Sequence, residues 1–76
     1  MDKLTEYIDW LIKRYPTKSD QLTACLEMFQ KKDIVFETVD TIDNVLWEAW
    51  EVSDGIRLMV KSYQRKWERA QAKKYA

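Results

Sequence analysis

The chain has 76 residues, 13 basic and 13 acidic, for a formal net charge of zero at pH 7, with 46% apolar residues and four Trp, four Tyr and two Phe. That length makes one domain, residues 1–76, and a chain so short buries only about 60 to 65% of its unfolded surface, so it must pack efficiently or lean on a partner. Charged and apolar residues are too interleaved for a disordered tail, and no apolar run exceeds three residues, which leaves no membrane span.

With no histidine, one cysteine and one glycine, most routes to nucleophilic catalysis, metal binding and phosphate cradling are missing, so neither an enzyme activity nor a metal or cofactor is expected. Cys25 cannot form an internal disulfide, and the stretch MDKLTEYIDW carries acids where a secretion signal would be basic and apolar, an indication of the cytoplasm.

The first predicted element is a helix over residues 2–15, because Leu4, Tyr7, Ile8, Leu11, Ile12 and Tyr15 fall at the spacing of one helical face. Pro16 ends it, since the residue before a proline avoids helical backbone. Thr17 with Asp20 resembles a capping pattern for a second helix over 18–32, whose inner stripe is Leu22, Cys25, Leu26 and Phe29. Within that stripe Cys25 reads as a small buried hydrophobe.

Asp33 then caps a third helix over 34–53. The run IVFETV is β-branched enough for a strand, but a lone strand would leave its backbone unpaired, so helix is the reading. From here apolar positions step alternately by four and three through Val35, Val39, Ile42, Leu46, Ala49, Ser53, Ile56, Val60, Tyr63, Trp67 and Ala70, a coiled-coil-like seam that carries on into a helix over 55–74.

Charge divides along the same line. Residues 33–54 hold seven acids and no base, whereas residues 55–76 hold seven bases and the single acid Glu68. Two architectures exploit this division. In one, Gly55 takes a left-handed conformation and the acidic arm folds back on the basic arm as an antiparallel hairpin, completing a four-helix bundle. In the other, the helix runs on through Ser53 as one long kinked rod of about 60 Å, paired as an antiparallel homodimer. Both are all-α.

The tryptophans are the candidate contact residues. Trp10 lies off the stripe of the first helix and Trp47 off the seam, which predicts both to be exposed, while Trp50 and Trp67 read as core. Trp47 is the lead anchor of a protein-binding surface because Asp43, Glu48 and Glu51 surround it, and an aromatic ringed by acids suits a basic partner. Trp10 is the second anchor.

The alternative surface is the basic C-terminal stretch Arg57, Lys61, Arg65, Lys66, Arg69, Lys73 and Lys74, interleaved with Tyr63, Trp67 and Tyr75 in the manner of nucleic-acid binders. Zero net charge weighs against it, because long-range attraction is missing. The expected function is therefore a small non-enzymatic protein-binding module, an inhibitor or regulator that occludes a surface of a larger machine. Phages and other mobile elements often encode such proteins.

Overall fold

In the computed structural model, which describes the backbone of residues 2–75 and the side chains of residues 2–73, helix α1 spans Lys3–Arg14. Asp2 caps it, its side chain accepting from the Thr5 amide at 2.8 Å, a bond that also holds the Asp2 carboxyl below its ordinary pKa. Tyr15 leaves the helix at φ −130° and ψ 68°, as a residue before proline should. The buried face is Leu4, Tyr7, Ile8 and Leu11, four of the six residues of the predicted stripe, while Ile12 and Tyr15 are half-buried.

The second helix also forms where expected, but it starts differently. Pro16–Lys18 make a 3-10 turn closed by the Lys18 amide on the Tyr15 carbonyl at 2.9 Å, and α2 runs on directly over Ser19–Lys31. The Thr17–Asp20 cap is not made, because the proline has already set the first turn and the residue at the cap position, Lys18, makes no side-chain bond. Leu22, Cys25 and Phe29 are buried along α2.

The single helix expected over 34–53 is instead three pieces. Asp33 sits at φ 55°, and the Ile34 amide reaches back to the Phe29 carbonyl at 2.9 Å, a left-handed stop that ends α2 and turns the chain. A 3-10 segment follows over Phe36–Thr41, burying Phe36 and Val39. Ile42 and Asp43 are extended, and α3 is a separate helix of six residues, Asn44–Ala49, capped by the Asp43 side chain on the Val45 amide at 3.4 Å.

The stop used at Asp33 recurs at the end of α3. Glu51 lies at φ 58°, and the Val52 amide reaches the Trp47 carbonyl at 3.2 Å. In both stops the residue after the turn, Ile34 or Val52, packs on the core near the aromatic whose carbonyl it caps. Helix α4 then runs over Asp54–Ser62, with Ser53 accepting from the Ile56 amide at 3.4 Å, and α5 runs over Gln64–Tyr75.

Neither sequence-based architecture for the C-terminal half therefore holds. The chain turns, but at Glu51 rather than Gly55, which lies in the first turn of α4 at negative φ. Helix phase is lost at Ile42–Asp43 and again at Glu51–Ser53, so there is neither a twenty-residue acidic arm nor a rod. The molecule measures 39 × 26 × 21 Å, with a radius of gyration of 12.1 Å, close to the roughly 11 Å of a compact chain this long. Over the described residues the fold is an all-α bundle of five α-helices.

An aromatic core joins these pieces. The buried Tyr7 ring lies 5.2 Å from Phe36 and 5.6 Å from Trp67, and Phe36 and Trp67 are 5.1 Å apart. The Tyr7 hydroxyl donates to the Val60 carbonyl near the end of α4, and a side chain bonded into a helix's carbonyl ladder favours a break such as the one at Tyr63. Gln64, buried at the start of α5, donates from Nε2 to the Phe36 carbonyl at 2.9 Å and so fastens the 3-10 segment.

Two substitutions check where the chain turns. An added Cβ at Gly55 would meet nothing within 4 Å, so Gly55→Ala should raise stability, by up to about 1 kcal/mol. Glu51→Gly should likewise stabilise, by roughly 0.5–1 kcal/mol, by removing a side chain from left-handed backbone. Thermal melts read both; a destabilised Gly55→Ala would move the turn back to the glycine.

Candidate docking surfaces

Trp47 is the main correction to the predicted contact surface. It is fully buried, edge-on to Phe29 at 5.7 Å and to Trp50 at 6.3 Å, and it is the one buried residue of α3. Its predicted exposure assumed helix phase carried through Ile42–Asp43; because α3 starts afresh at its own cap, the roll is reset and the tryptophan points inward. Its Nε1 has no hydrogen-bond partner among the described residues, so part of what the ring contributes by burial is offset by a desolvated donor.

With Trp47 inside, other residues of α3 face out. At about 100° per residue, Val45 and Ala49 lie opposite the tryptophan and Leu46 to one side of it, and all three are exposed, Val45 to 69% and Leu46 to 44%. Both aliphatics were missed, Leu46 because the seam placed it in the core. The predicted acids flank this face: Asp43 at the cap, Glu48 on the helix and Glu51 at the left-handed stop, all exposed.

Every acid of residues 33–54 is exposed, and among the described residues only two have a close ionic partner. Glu37 meets Lys3 at 3.4 Å and Asp54 meets Arg57 at 2.6 Å, the latter within one turn of α4. The acidic and basic halves do not zip together, as the hairpin and the rod both required. Beyond the Asp54–Arg57 pair within α4, the two halves line an open cleft with Glu37, Asp40, Lys61, Arg65 and Glu68, and among the described residues no ion pair spans it.

Trp10 belongs to a different cluster. It is half-buried between α1 and α5, 6.3 Å from Tyr63 and 6.4 Å from Tyr7, with the Arg14 guanidinium 5.0 Å above its ring. The predicted partner residues are thus not brought to one place: three acids frame α3, while Trp10 closes the seam between α1 and α5.

The basic candidates divide as well. Arg57 is held by Asp54 on α4, and Lys61 is half-buried at the cleft. Arg65, Lys66, Arg69 and Lys73 are exposed on α5, on the side away from the buried Gln64 and Trp67; Lys74 lies outside the described side chains. Lys66 stands 5.8 Å over the Tyr63 ring, and the Tyr63 and Tyr15 hydroxyls are hydrogen-bonded. If this pair loses a proton it comes from Tyr15: Tyr63 then donates to it, with Arg14 and Lys66 nearby, so Tyr15 is held below and Tyr63 above the ordinary phenol value. Tyr63 was among the aromatics expected beside the bases, whereas Arg14 and Tyr15 were not singled out as surface residues, though Arg14 follows Trp10 by the four residues that make helical neighbours.

Among the described residues no helix is long and apolar enough to cross a membrane. The chain matches no known family model, no curated protein and no solved structure.

Two measurements check these placements. Trp47→Ala should destabilise the fold by about 3 to 5 kcal/mol, as much as Trp67→Ala, and Trp47→Phe by clearly less; a Trp47→Ala variant that melts like wild type would put the ring back on the surface. Alkaline pH supplies the other. Burial pushes the Cys25 thiol from 9.0 up to about 12 and raises the Tyr7 phenol above 10.0. Both folded-state values are raised, so their stabilisation is intact below pH 9 and lost as pH climbs through about 9 to 12. Denaturant melts across that range should show the decline, reduced in Cys25→Ala; a flat profile would contradict the burial.

Proposed function

We propose that this protein is a non-enzymatic docking module that binds a protein with a basic surface through the outward face of α3 and its flanking acids. The observation that carries this reading is one of arrangement. Val45 and Leu46 stand exposed on a short helix, Trp47 holds that helix from beneath, and Asp43, Glu48 and Glu51 edge it with charge that no neighbouring base neutralises among the described residues. An apolar centre with a charged rim is how protein interfaces are commonly built, the centre supplying affinity and the rim supplying rate and choice of partner. A helical domain of this size then acts by occupying its partner's surface, as an inhibitor or regulator does.

A second reading, nucleic-acid binding through the C-terminal helix, is favoured by a separate observation: Lys66, Arg69 and Lys73 are exposed and unpaired among the described residues.

Wild-type protein and a Leu46→Asp, Glu48→Lys variant, both immobilised, separate the readings when cell extract is passed over them with and without nuclease. Both positions are exposed, so the variant should melt within a few degrees of wild type. Docking through α3 predicts basic proteins retained by wild type after nuclease and weakened at least about tenfold on the variant. Equal retention by the two would sink the α3 surface, and loss of all partners with nuclease would favour the second reading.

A further inference from the structure

The second basic surface is more than a row of lysines. Where α1 ends against α5, three half-buried aromatics meet: Trp10 and Tyr63 at 6.3 Å, and Tyr63 and Tyr15 at 5.7 Å. Cations already lie on these rings. The Arg14 guanidinium is 5.0 Å from the Trp10 centroid and 5.8 Å from Tyr63, and Lys66 Nζ is 5.8 Å from Tyr63.

From this cluster Lys66, Arg69 and Lys73 continue along the exposed side of α5, at spacings of three and four residues that keep them on one face. They cover about 10 Å of helix axis. The acids lie to either side: Glu6 is one turn ahead of Trp10 on α1, Asp9 is also on α1, and Glu68 lines the cleft on the other flank of α5.

We infer that this seam is a binding site for single-stranded nucleic acid, with Trp10 and Tyr63 as the platform for one or two bases and Arg14, Lys66, Arg69 and Lys73 as the track for the adjoining phosphates. Aromatic faces beside a line of cations are the two components such sites combine, and neither a duplex nor a plain polyanion uses both. The contacts now made by Arg14 do not obstruct this. An exposed cation–π contact is weaker than a base stacked on indole, and a guanidinium displaced from the ring stays close enough to take the phosphate of the same nucleotide. The zero net charge limits long-range steering, so the site is a short-range one, of modest affinity and a few nucleotides in length. This inference deepens the second reading and shares no residue with the α3 face.

The test is a titration of the whole protein with a short oligothymidylate, followed by tryptophan fluorescence at several salt concentrations. Trp10 is the half-buried indole of the site, whereas Trp47 and Trp67 are buried. Binding should quench the emission, and log affinity should fall with log salt by about 0.7 per phosphate engaged. Combined Lys66→Gln, Arg69→Gln and Lys73→Gln should lower that slope by roughly two. Trp10→Ala should weaken binding about tenfold or more with the slope unchanged, while Trp10→Phe, which keeps a ring, should restore most of the loss and guards against a folding defect.

Binding that depends on the three bases but is indifferent to Trp10 would overturn the stacking site and leave only a polyanion surface. So would inorganic polyphosphate competing as well as the oligonucleotide, or a duplex of equal length binding more tightly. No binding at low salt would overturn this inference and the second reading together, leaving the α3 surface untouched.

Discussion

The fold depends on the phenol of Tyr7. Its ring is fully buried among Phe36, Trp67 and Trp10, and its hydroxyl donates to the Val60 carbonyl. A buried hydroxyl without a partner would cost roughly 1 to 3 kcal/mol, so this one bond fixes how far α1 can slide past α4. The ring contacts do the same for the 3-10 segment and for α5. One side chain from the first element thus registers three later ones, which matters in a chain too short to hold a second core.

Around that centre the chain changes direction by means that do not rely on glycine. Asp33 and Glu51 both take left-handed backbone, and Ile34 and Val52 lock the turns by packing on the core just beyond them. Acids are tolerated there because they are exposed and because the amides that follow cap the carbonyls left open at the helix end. The same turns carry negative charge to the surface. The acidic character of residues 33–54 is therefore partly a property of its stops and caps: Asp33 and Glu51 end helices, Asp43 begins one, and Asp54 sits in a first turn.

What could be read from the sequence follows from where periodicity is local. The stripes of α1 and α2 needed only a few turns of phase within one unbroken helix, so Leu4, Tyr7, Ile8, Leu11, Leu22, Cys25 and Phe29 all face inward as their spacing indicates. The seam drawn from Val35 to Ala70 needed phase across three interruptions. It holds for Val39, Ile42, Ile56, Val60 and Trp67 but places exposed Val35, Leu46, Ala49 and Ala70 inside and leaves buried Trp47 out. The interruptions had local signals in Asp43 before α3 and Ser53 before α4, both ordinary cap residues. Gly55 outweighed them in that reading, although a glycine is not required where an acid can take the turn. Charge, which does not depend on phase, was legible as two halves; which faces present it was not.

Helix α3 also links interior and surface. Six residues are far too few to form a stable helix in water, where about 12 to 15 are marginal. It persists because one indole holds it against Phe29 of α2. Withdrawal of that indole would melt α3 and dissolve the arrangement of Val45, Leu46 and Glu48, so the outward face exists only in molecules whose tryptophan is seated. An opening confined to α3 costs less than global unfolding. By thermodynamic reciprocity, anything that binds only the formed face must tighten the seat of a side chain it never touches. Occupancy at the surface would then be reported inside the core, by the fluorescence of a buried tryptophan and the exchange of the α3 amides.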